Sequence, residues 1–426
     1  MSLLLIPGLS WLRQIWHSHD RSEPVMTKGM FKILKRSKIS RARLGLIATS
    51  RGRIETPFFT PDATFGQIKC LGLRDLADLG LECLVVNTLH LFLRPGKNII
   101  ARAGGLNNYT GWRRPILSDS GGYQVFSLIH RNKSSASPGR APDKSGSGGR
   151  ITDLAAIFRS PLGGSRIKLT PEQSISLQFN LGAQMMVCLD DCPPNDYDEA
   201  KLEAAVRRTI LWAKRCRRQY DKEIKSRGFK NKRPLLFAVI QGGNNLALRE
   251  FCAGELKKIG FDGFGFGARH IDERGNFLSQ ALEKTAGQIP ENKLRFGLGI
   301  GQPRDIIRSV KMGWDMFDCV IPTREGRHGR LFLGKRISNF KFQISNNHPE
   351  NFYETINITN AKFAKDFSPI NEASRLPELK RHSKAYLNYL FKIKEPLALR
   401  LASLNNLEFY IKLLGEIRGL IKKNKF

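Results

Sequence analysis

The chain has 426 residues, 41% of them hydrophobic, enough to bury the core of one large barrel-type domain or two ordinary ones. Its 70 Lys and Arg against 38 Asp and Glu leave a formal net charge of +32, which implies a polyanionic partner or a generally basic proteome and does not choose between RNA, DNA and a membrane surface. Seven cysteines without a C-x-x-C pair argue against a disulfide framework and fit a reducing cytoplasm.

The opening MSLLLIPGLSWLRQIW carries a short apolar run with no charged leader and no small-residue cleavage site, and it is too short to span a bilayer. Residues 1–40 read as an N-terminal tail, and the chain as cytoplasmic with no membrane partner. From Ile54 onward, short apolar strands alternate with amphipathic helical stretches, the signature of βα units and a parallel sheet. The eight predicted strands are PFFTPDA from Pro57, CLVVNT from Cys83, PILSDS from Pro115, MMVCLDD from Met185, LLFAVIQ from Leu235, GFGFG from Gly263, FGLGIG from Phe296 and FDCVIPT from Phe317.

Helices are expected between them, among them PEQSISLQFNLG from Pro171, with proline at its first turn, and a long basic run from Glu199 to Lys225. Strands apolar throughout suit a sheet buried on both faces, either an α/β barrel or an open doubly wound sheet. The strands end in Asp119, Asp190, Gln241, Gly267, Gly299 and Asp318. Six polar or backbone-exposing ends converging on one face favour the barrel, whose active sites lie at the C-terminal ends of its strands.

Two segments break the alternation. His130 to Arg150, rich in Ser, Gly, Pro and basic residues, reads as a flexible insertion over 129–150. Beyond the barrel of residues 41–328, residues 329–396 form an irregular appendix, followed by a closing amphipathic helix over 397–426.

The chain resembles the tRNA-guanine transglycosylase family from about Arg41 to its end. GRIETPFFTP, NTLHLFLRPG, GWRRPILSDSGGYQVFSL, FRSPLGGS, LDDC, IQGG, GFDGFGFG and WDMFDCVIPTREGRHG follow the family's order and spacing. The resemblance implies a TIM-type (β/α)8 barrel that exchanges a tRNA guanine, most simply the wobble guanine, for a 7-deazaguanine in queuosine biosynthesis.

Exchange of a base at C1′ with the ribose retained calls for a carboxylate nucleophile and a second carboxyl group to handle the proton. The resemblance assigns attack to Asp318 and acid/base work to Asp119. It makes Asp190 and Gln241 the readers of the base edges, whose donors and acceptors suit a carboxylate and an amide. Backbone N–H groups near Gly267 and Ala268 are expected to hold O6. Ser120, Gly121 and Gly122 belong to the same pocket, with Tyr123 and Leu298 as the walls that grip a flipped base. Gly299, Ile300, Gly301, Gln302, Pro303, Arg304 and Asp305, with Thr323, Arg324, Glu325, Gly326 and Arg327, match the family's RNA-binding stretches, where arginines meet phosphates.

Two departures qualify the resemblance. The family's structural zinc rests on C-x-C-x-x-C and a later His, and here Ser374, Leu376, Leu379 and Asn405 stand at those positions. No zinc or other cofactor is therefore expected, and packing through Tyr386, Tyr389, Leu390 and Phe391 should replace it. Glu378 and His382, the nearest substitutes, supply only two ligands. At the pocket, Ala268, Arg269, His270 and Ile271 replace the family's Gly-Leu-Ala-Val. Cys192 and Ile271 look like the bacterial type, which inserts 7-aminomethyl-7-deazaguanine.

The partners implied are the anticodon loop of a tRNA, guanine, the incoming 7-deazaguanine and a second copy of the chain in a homodimer. Two alternatives stay open: a related transglycosylase acting on another tRNA or DNA guanine, and a non-catalytic RNA-binding subunit.

Overall fold

The computed structural model describes residues 30–122, 149–160, 163–195, 197–229, 232–272, 274–334 and 352–426. The chain enters through a three-stranded antiparallel sheet, β1 (Phe31–Arg36), β2 (Arg43–Thr49) and β3 (Gly52–Thr56). β1 lies inside the stretch expected to be tail. Its burial alternates residue by residue although its sequence FKILKR does not, Leu34 falling on the exposed face, as a half-covered strand allows.

Eight parallel strands follow: β4 (Phe58–Pro61), β5 (Leu84–Val86), β6 (Ile116–Ser118) and, after a small antiparallel sheet of β7 (Arg150–Ile151), β8 (Ala156–Arg159) and β9 (Arg166–Leu169), β10 (Met185–Val187), β11 (Leu235–Ile240), β12 (Gly263–Phe266), β13 (Leu294–Gly297) and β14 (Met316–Cys319). Their order is β4-β14-β13-β12-β11-β10-β6-β5. A parallel bridge between Asp62 and Val85 joins the two ends, with Ala63 N donating to Val85 O at 2.7 Å. All eight coincide with predicted strands, and the open-sheet alternative falls with that bridge.

The barrel interior is filled, as close packing requires. Phe58, Val85, Leu117, Met185, Val187, Phe237, Val239, Phe296 and Met316 form one cluster, and Ile47 and Ile54 of the entry sheet plug its lower end. Helices surround it. Pro171–Leu181 starts on a reciprocal cap between Thr170 and Gln173 and stops at left-handed Gly182, as its sequence foretells. Glu199–Ser226 starts at Asp198, whose side chain accepts from Lys201 N.

The appendix pairs β15 (Arg330–Gly334) with β16 (Tyr353–Asn357) and adds short helices Pro377–Arg381 and Lys384–Lys392. Its Leu331, Ile358, Leu379, Leu387 and Leu390 share a cluster with Leu84 and Val86 of the barrel and with Leu401, Leu404 and Leu407 of the closing helix, Pro396–Lys422. That helix lies directly on the helix Ile321–Arg327, where a Cβ on Gly326 would stand 2.9 Å from the Ala402 backbone. Among the described residues, no helix is long and apolar enough to cross a membrane. The insertion expected over 129–150 and the tail before Met30 lie almost wholly outside the described residues.

Candidate active site

The C-terminal ends of the strands form the mouth. Asp119 leaves β6 with its backbone N on Val86 O at 3.0 Å. Its carboxylate accepts from Asn87 Nδ2 at 2.6 Å, Thr88 N at 2.8 Å and Gly121 N at 3.2 Å, and Thr88 Oγ1 holds its carbonyl at 2.5 Å. These donors fix the carboxylate in position. Sequence reasoning missed Asn87 and Thr88, although they end the adjacent strand in the NTLH motif.

Asp318 lies in β14, in register with Thr60 of β4. Its carboxylate accepts from Gly299 N at 2.8 Å. Burial, with Asp62 as a neighbouring like charge, pushes its carboxyl up to about 7, and the Gly299 N–H offsets part of this. Asp62, just past β4, takes a hydrogen bond from Thr64 Oγ1 at 2.8 Å. Its own carboxyl is raised by burial, opposed by Thr64, His90 and Arg327. The mouth thus holds, besides Asp119, Asp190 and Asp318, a fourth carboxylate that sequence reasoning did not single out, and Asp62 in PFFTPDA was its signal.

Asp190 and Gln241 meet: Gln241 Nε2 donates to Asp190 Oδ2 at 2.6 Å. Burial pushes the Asp190 carboxyl up to about 6, Gln241 opposes the shift and the Asp191 charge adds to it. Gln241 Oε1 is buried without a partner, and a Cβ on Gly267 would fall 2.5 Å from Gln241 Cδ. A Cβ on Gly122 would stand 3.0 Å from Asp190 Oδ1, which seats the Ser120–Gly122 turn against this pair. Ser120 is buried, with its hydroxyl accepting from Gly122 N at 3.1 Å. Leu298 lies over Gly265 and packs on the interior cluster. Tyr123, the other expected wall, lies outside the described residues.

Gly267 departs from expectation. Its N–H donates to Ile240 O at 2.9 Å within the sheet, so it is not free to hold O6. Its carbonyl accepts from Arg249 Nη2 at 3.1 Å. Arg249 is a further missed residue: fully buried, it also reaches Gly243 O at 2.7 Å and Ile240 O at 3.2 Å and lies 4.0 Å over the Phe266 ring. It ties the IQGG loop to the end of β12. Ala268 follows with φ +67°, a left-handed conformation costly for any residue with a Cβ. Arg269 is exposed, and Asn195 Nδ2 grips the Arg269 and Ile271 carbonyls at 3.1 and 3.2 Å.

The expected RNA-contacting stretches divide. Gln302, Arg304, Arg324, Glu325 and Arg327 present side chains at least partly to solvent, whereas Ile300, Gly301, Pro303, Asp305, Thr323 and Gly326 are buried. Gly299 holds Asp318, Gly301 O accepts from Tyr410 Oη at 2.5 Å, and Asp305 stands 3.6 Å from His270. Buried members therefore set the backbone course, while Arg304, Arg324 and Arg327 are the cations available outside it.

In the appendix, the positions expected for zinc ligands hold no thiolate or imidazole, so they do not fit the metal. Ser374 Oγ instead donates to Glu408 Oε2 at 2.6 Å, and Arg375 N donates to Glu408 Oε1 at 2.6 Å. Asn405 accepts from Asn371 Nδ2 at 2.9 Å and donates to Phe332 O at 3.0 Å. Leu376 and Leu379 are core residues. Glu378 binds Arg400 at 2.8 Å and His382 stacks on Tyr386. Among the described residues, no group of three or more His, Cys, Asp or Glu is placed to hold a metal. The packing expectation holds for Leu390 and Phe391. It fails for Tyr386 and Tyr389, which are 38% and 55% exposed, because the chain turns at His382 and Leu379 sits on a different helix.

A closed (β/α)8 barrel whose mouth sets two separately held carboxylates beside a buried carboxylate–amide pair defines a transferase of the glycosyl-exchanging class. The model of the family described as queuine tRNA-ribosyltransferase matches residues 38–426. A queuine tRNA-ribosyltransferase from Nitratidesulfovibrio vulgaris is 38% identical over 402 residues, 94% of this chain and 95% of that protein. Those from Halothermothrix orenii and Francisella tularensis subsp. novicida are each 35% identical, over 92% and 94% of this chain and 94% and 97% of theirs. The chain belongs to the queuine tRNA-ribosyltransferase family, a family of glycosyltransferases.

Proposed function

We propose that this protein is a tRNA-guanine transglycosylase that exchanges the wobble guanine of an anticodon loop for 7-aminomethyl-7-deazaguanine through a covalent aspartyl-ribose intermediate. Asp318 Oδ attacks C1′ and the C1′–N9 bond breaks, its electron pair leaving with guanine, which takes a proton from Asp119. The incoming base then gives its N9 proton to Asp119 and attacks C1′, and the Asp318 carboxylate departs. Asp190 accepts from the N1–H and amine of the base, and the second N–H of Gln241 Nε2 reaches its acceptor edge. The carrying observation is Asp318: a carboxylate at the mouth that burial raises to about 7 and that Gly299 N–H holds on Oδ1. Incubation with tRNA and labelled guanine tests the reading, because exchange reports the chemistry whatever base is natural. Label entering tRNA at the wobble position supports it; no entry overturns it.

The same reading takes the protein to work as a homodimer in the cytoplasm and to fold without zinc. The Ser374–Glu408 and Asn371–Asn405 hydrogen bonds support the last point, since they join the segments a metal would otherwise link.

A further inference from the structure

At the barrel end opposite the mouth, beside the starts of β13 and β14, a cavity of about 650 Å³ opens between the turn after β1 and the end of the helix Ser279–Gln288. Its lining includes Arg36, Arg41, Arg43, Lys257 and Arg295 and one carboxylate, Glu291. Three of the cations have partners of opposite charge. Arg43 Nε and Nη2 hold both oxygens of buried Asp315 at 2.8 and 2.6 Å, Arg36 reaches Glu291 at 2.6 Å, and Arg41 lies 3.7 Å from Glu283.

Arg295 differs. It is only 8% exposed, its Nη1 and Nη2 reach the carbonyls of Gly313 and Ile289 at 3.3 and 3.1 Å, and its Nε is buried with no acceptor. Asp315, the nearest carboxylate in its network, already takes two bonds from Arg43 and one from the Arg295 backbone N at 2.8 Å. Burial and the Arg43 charge lower the guanidinium to about 10, so it remains a cation at neutral pH. Asp315 and Glu291 offset part of that shift, yet Nε remains without an acceptor, and a buried charged donor left unmade is costly. Arg249 marks the contrast: more deeply buried, it satisfies Nε, Nη1 and Nη2 with carbonyls.

We propose that this cavity is an anion site for a phosphate group, with Arg295 in its wall and Arg41 and Lys257 at its rim. Phosphate oxygens suit several guanidinium and ammonium donors converging from different elements. The group comes either from a free phosphate or pyrophosphate or from an RNA backbone beyond the anticodon arm. The site lies at the far end of the barrel, so its occupant does not compete with the exchanging base.

The test titrates the full chain with inorganic pyrophosphate at fixed ionic strength, against chloride, by calorimetry and thermal melting. Saturable binding with a raised Tm is expected. The double variant Arg41→Ala, Lys257→Ala, confined to exposed side chains, should weaken it by about tenfold and leave labelled-guanine exchange into an anticodon-arm RNA unchanged. A second arm reads the source: with full-length tRNA, an RNA phosphate at the site makes the double variant raise KM and makes pyrophosphate compete, whereas a free phosphate leaves KM unaltered. Arg295→Met, checked for folding by circular dichroism, should abolish pyrophosphate binding, since it removes the guanidinium whose Nε has no acceptor. A pyrophosphate response equal to chloride, or equal binding by the double variant, overturns the proposal. Because binding is read without catalysis, failure of the exchange assay leaves this result independent.

Discussion

The mouth of the barrel and the appendix treat polar groups in opposite ways. In the mouth, Gln241 Oε1 has no partner, the carboxyls of Asp62, Asp190 and Asp318 are all raised by burial, and Ala268 adopts a left-handed φ. Where the appendix meets the closing helix, Glu408 of that helix accepts on both oxygens, and its Asn405 and Asn406 use both ends of their amides. Unsatisfied groups stand ready for a ligand, and satisfied ones fix a fold. Stability and chemistry are placed in different parts of the molecule.

The sharpest way to break that comparison is Asp318→Asn. It should abolish guanine exchange and any denaturation-resistant adduct with tRNA, while raising Tm at pH 8 by on the order of 2 °C, because a desolvated charge is removed. An adduct that survives the change would show another nucleophile.

The appendix should show the reverse pattern. Glu408→Ala strips the acceptor from Ser374 Oγ and Arg375 N, both held at 2.6 Å, and should cost about 2–3 kcal/mol of stability in denaturant titration. Exchange measured well below the melting point should stay intact. Metal analysis should give well under one zinc per chain, and a chelator should change neither Tm nor exchange. Stoichiometric zinc would overturn the reading of this region.

The third prediction concerns pH. Attack requires ionised Asp318, so kcat should fall as pH drops through about 7, with Asp190 steepening the loss below about 6. Asp62 raises the Asp318 carboxyl through like charge, so Asp62→Asn should move the acid limb to lower pH. The same signs govern stability. A raised carboxyl binds its proton more tightly in the folded state, so these three groups favour folding at low pH and lose that contribution as pH rises through the folded values. An unmoved limb in Asp62→Asn would separate Asp62 from the nucleophile.

The smallest effect is expected at Ala268→Gly. Relief of the +67° φ should stabilise by about 1 kcal/mol, read as a higher midpoint in urea, provided that glycine does not loosen the loop that Arg249 fixes.

Much of this was legible in the sequence. The eight strands and their polar ends could be read because apolar runs and the residues that terminate them are local signals. The residues expected to be catalytic and base-reading came from motif resemblance, and the structure brings Asp190 and Gln241 into contact and sets Asp119 and Asp318 on the same face of the barrel. What escaped depends on distance in space. Asn87 holds Asp119 from another strand, and Arg249 reaches Gly267 from a helix, neither of which any local pattern reports. The engagement of the Gly267 N–H with Ile240 O was not legible because ladder pairing decides which amides are free. β1 was missed because FKILKR carries three cations and places Ile33 beside Leu34, so it lacks the alternation that marks a strand.

The closing helix adds a consequence for biosynthesis. Tyr410 fixes Gly301, Asn406 holds Pro322 O at 2.9 Å, and Arg418 donates to Pro57 O at 2.8 Å beside the first barrel strand. Translation proceeds at roughly 5–20 residues per second, so the strand that carries Asp318 leaves the ribosome several seconds before the helix that locks its surroundings. During that interval a half-built barrel exposes its apolar strands with one edge unroofed. The nascent enzyme would then need shielding, by a chaperone or by its own entry sheet, long before it could engage RNA.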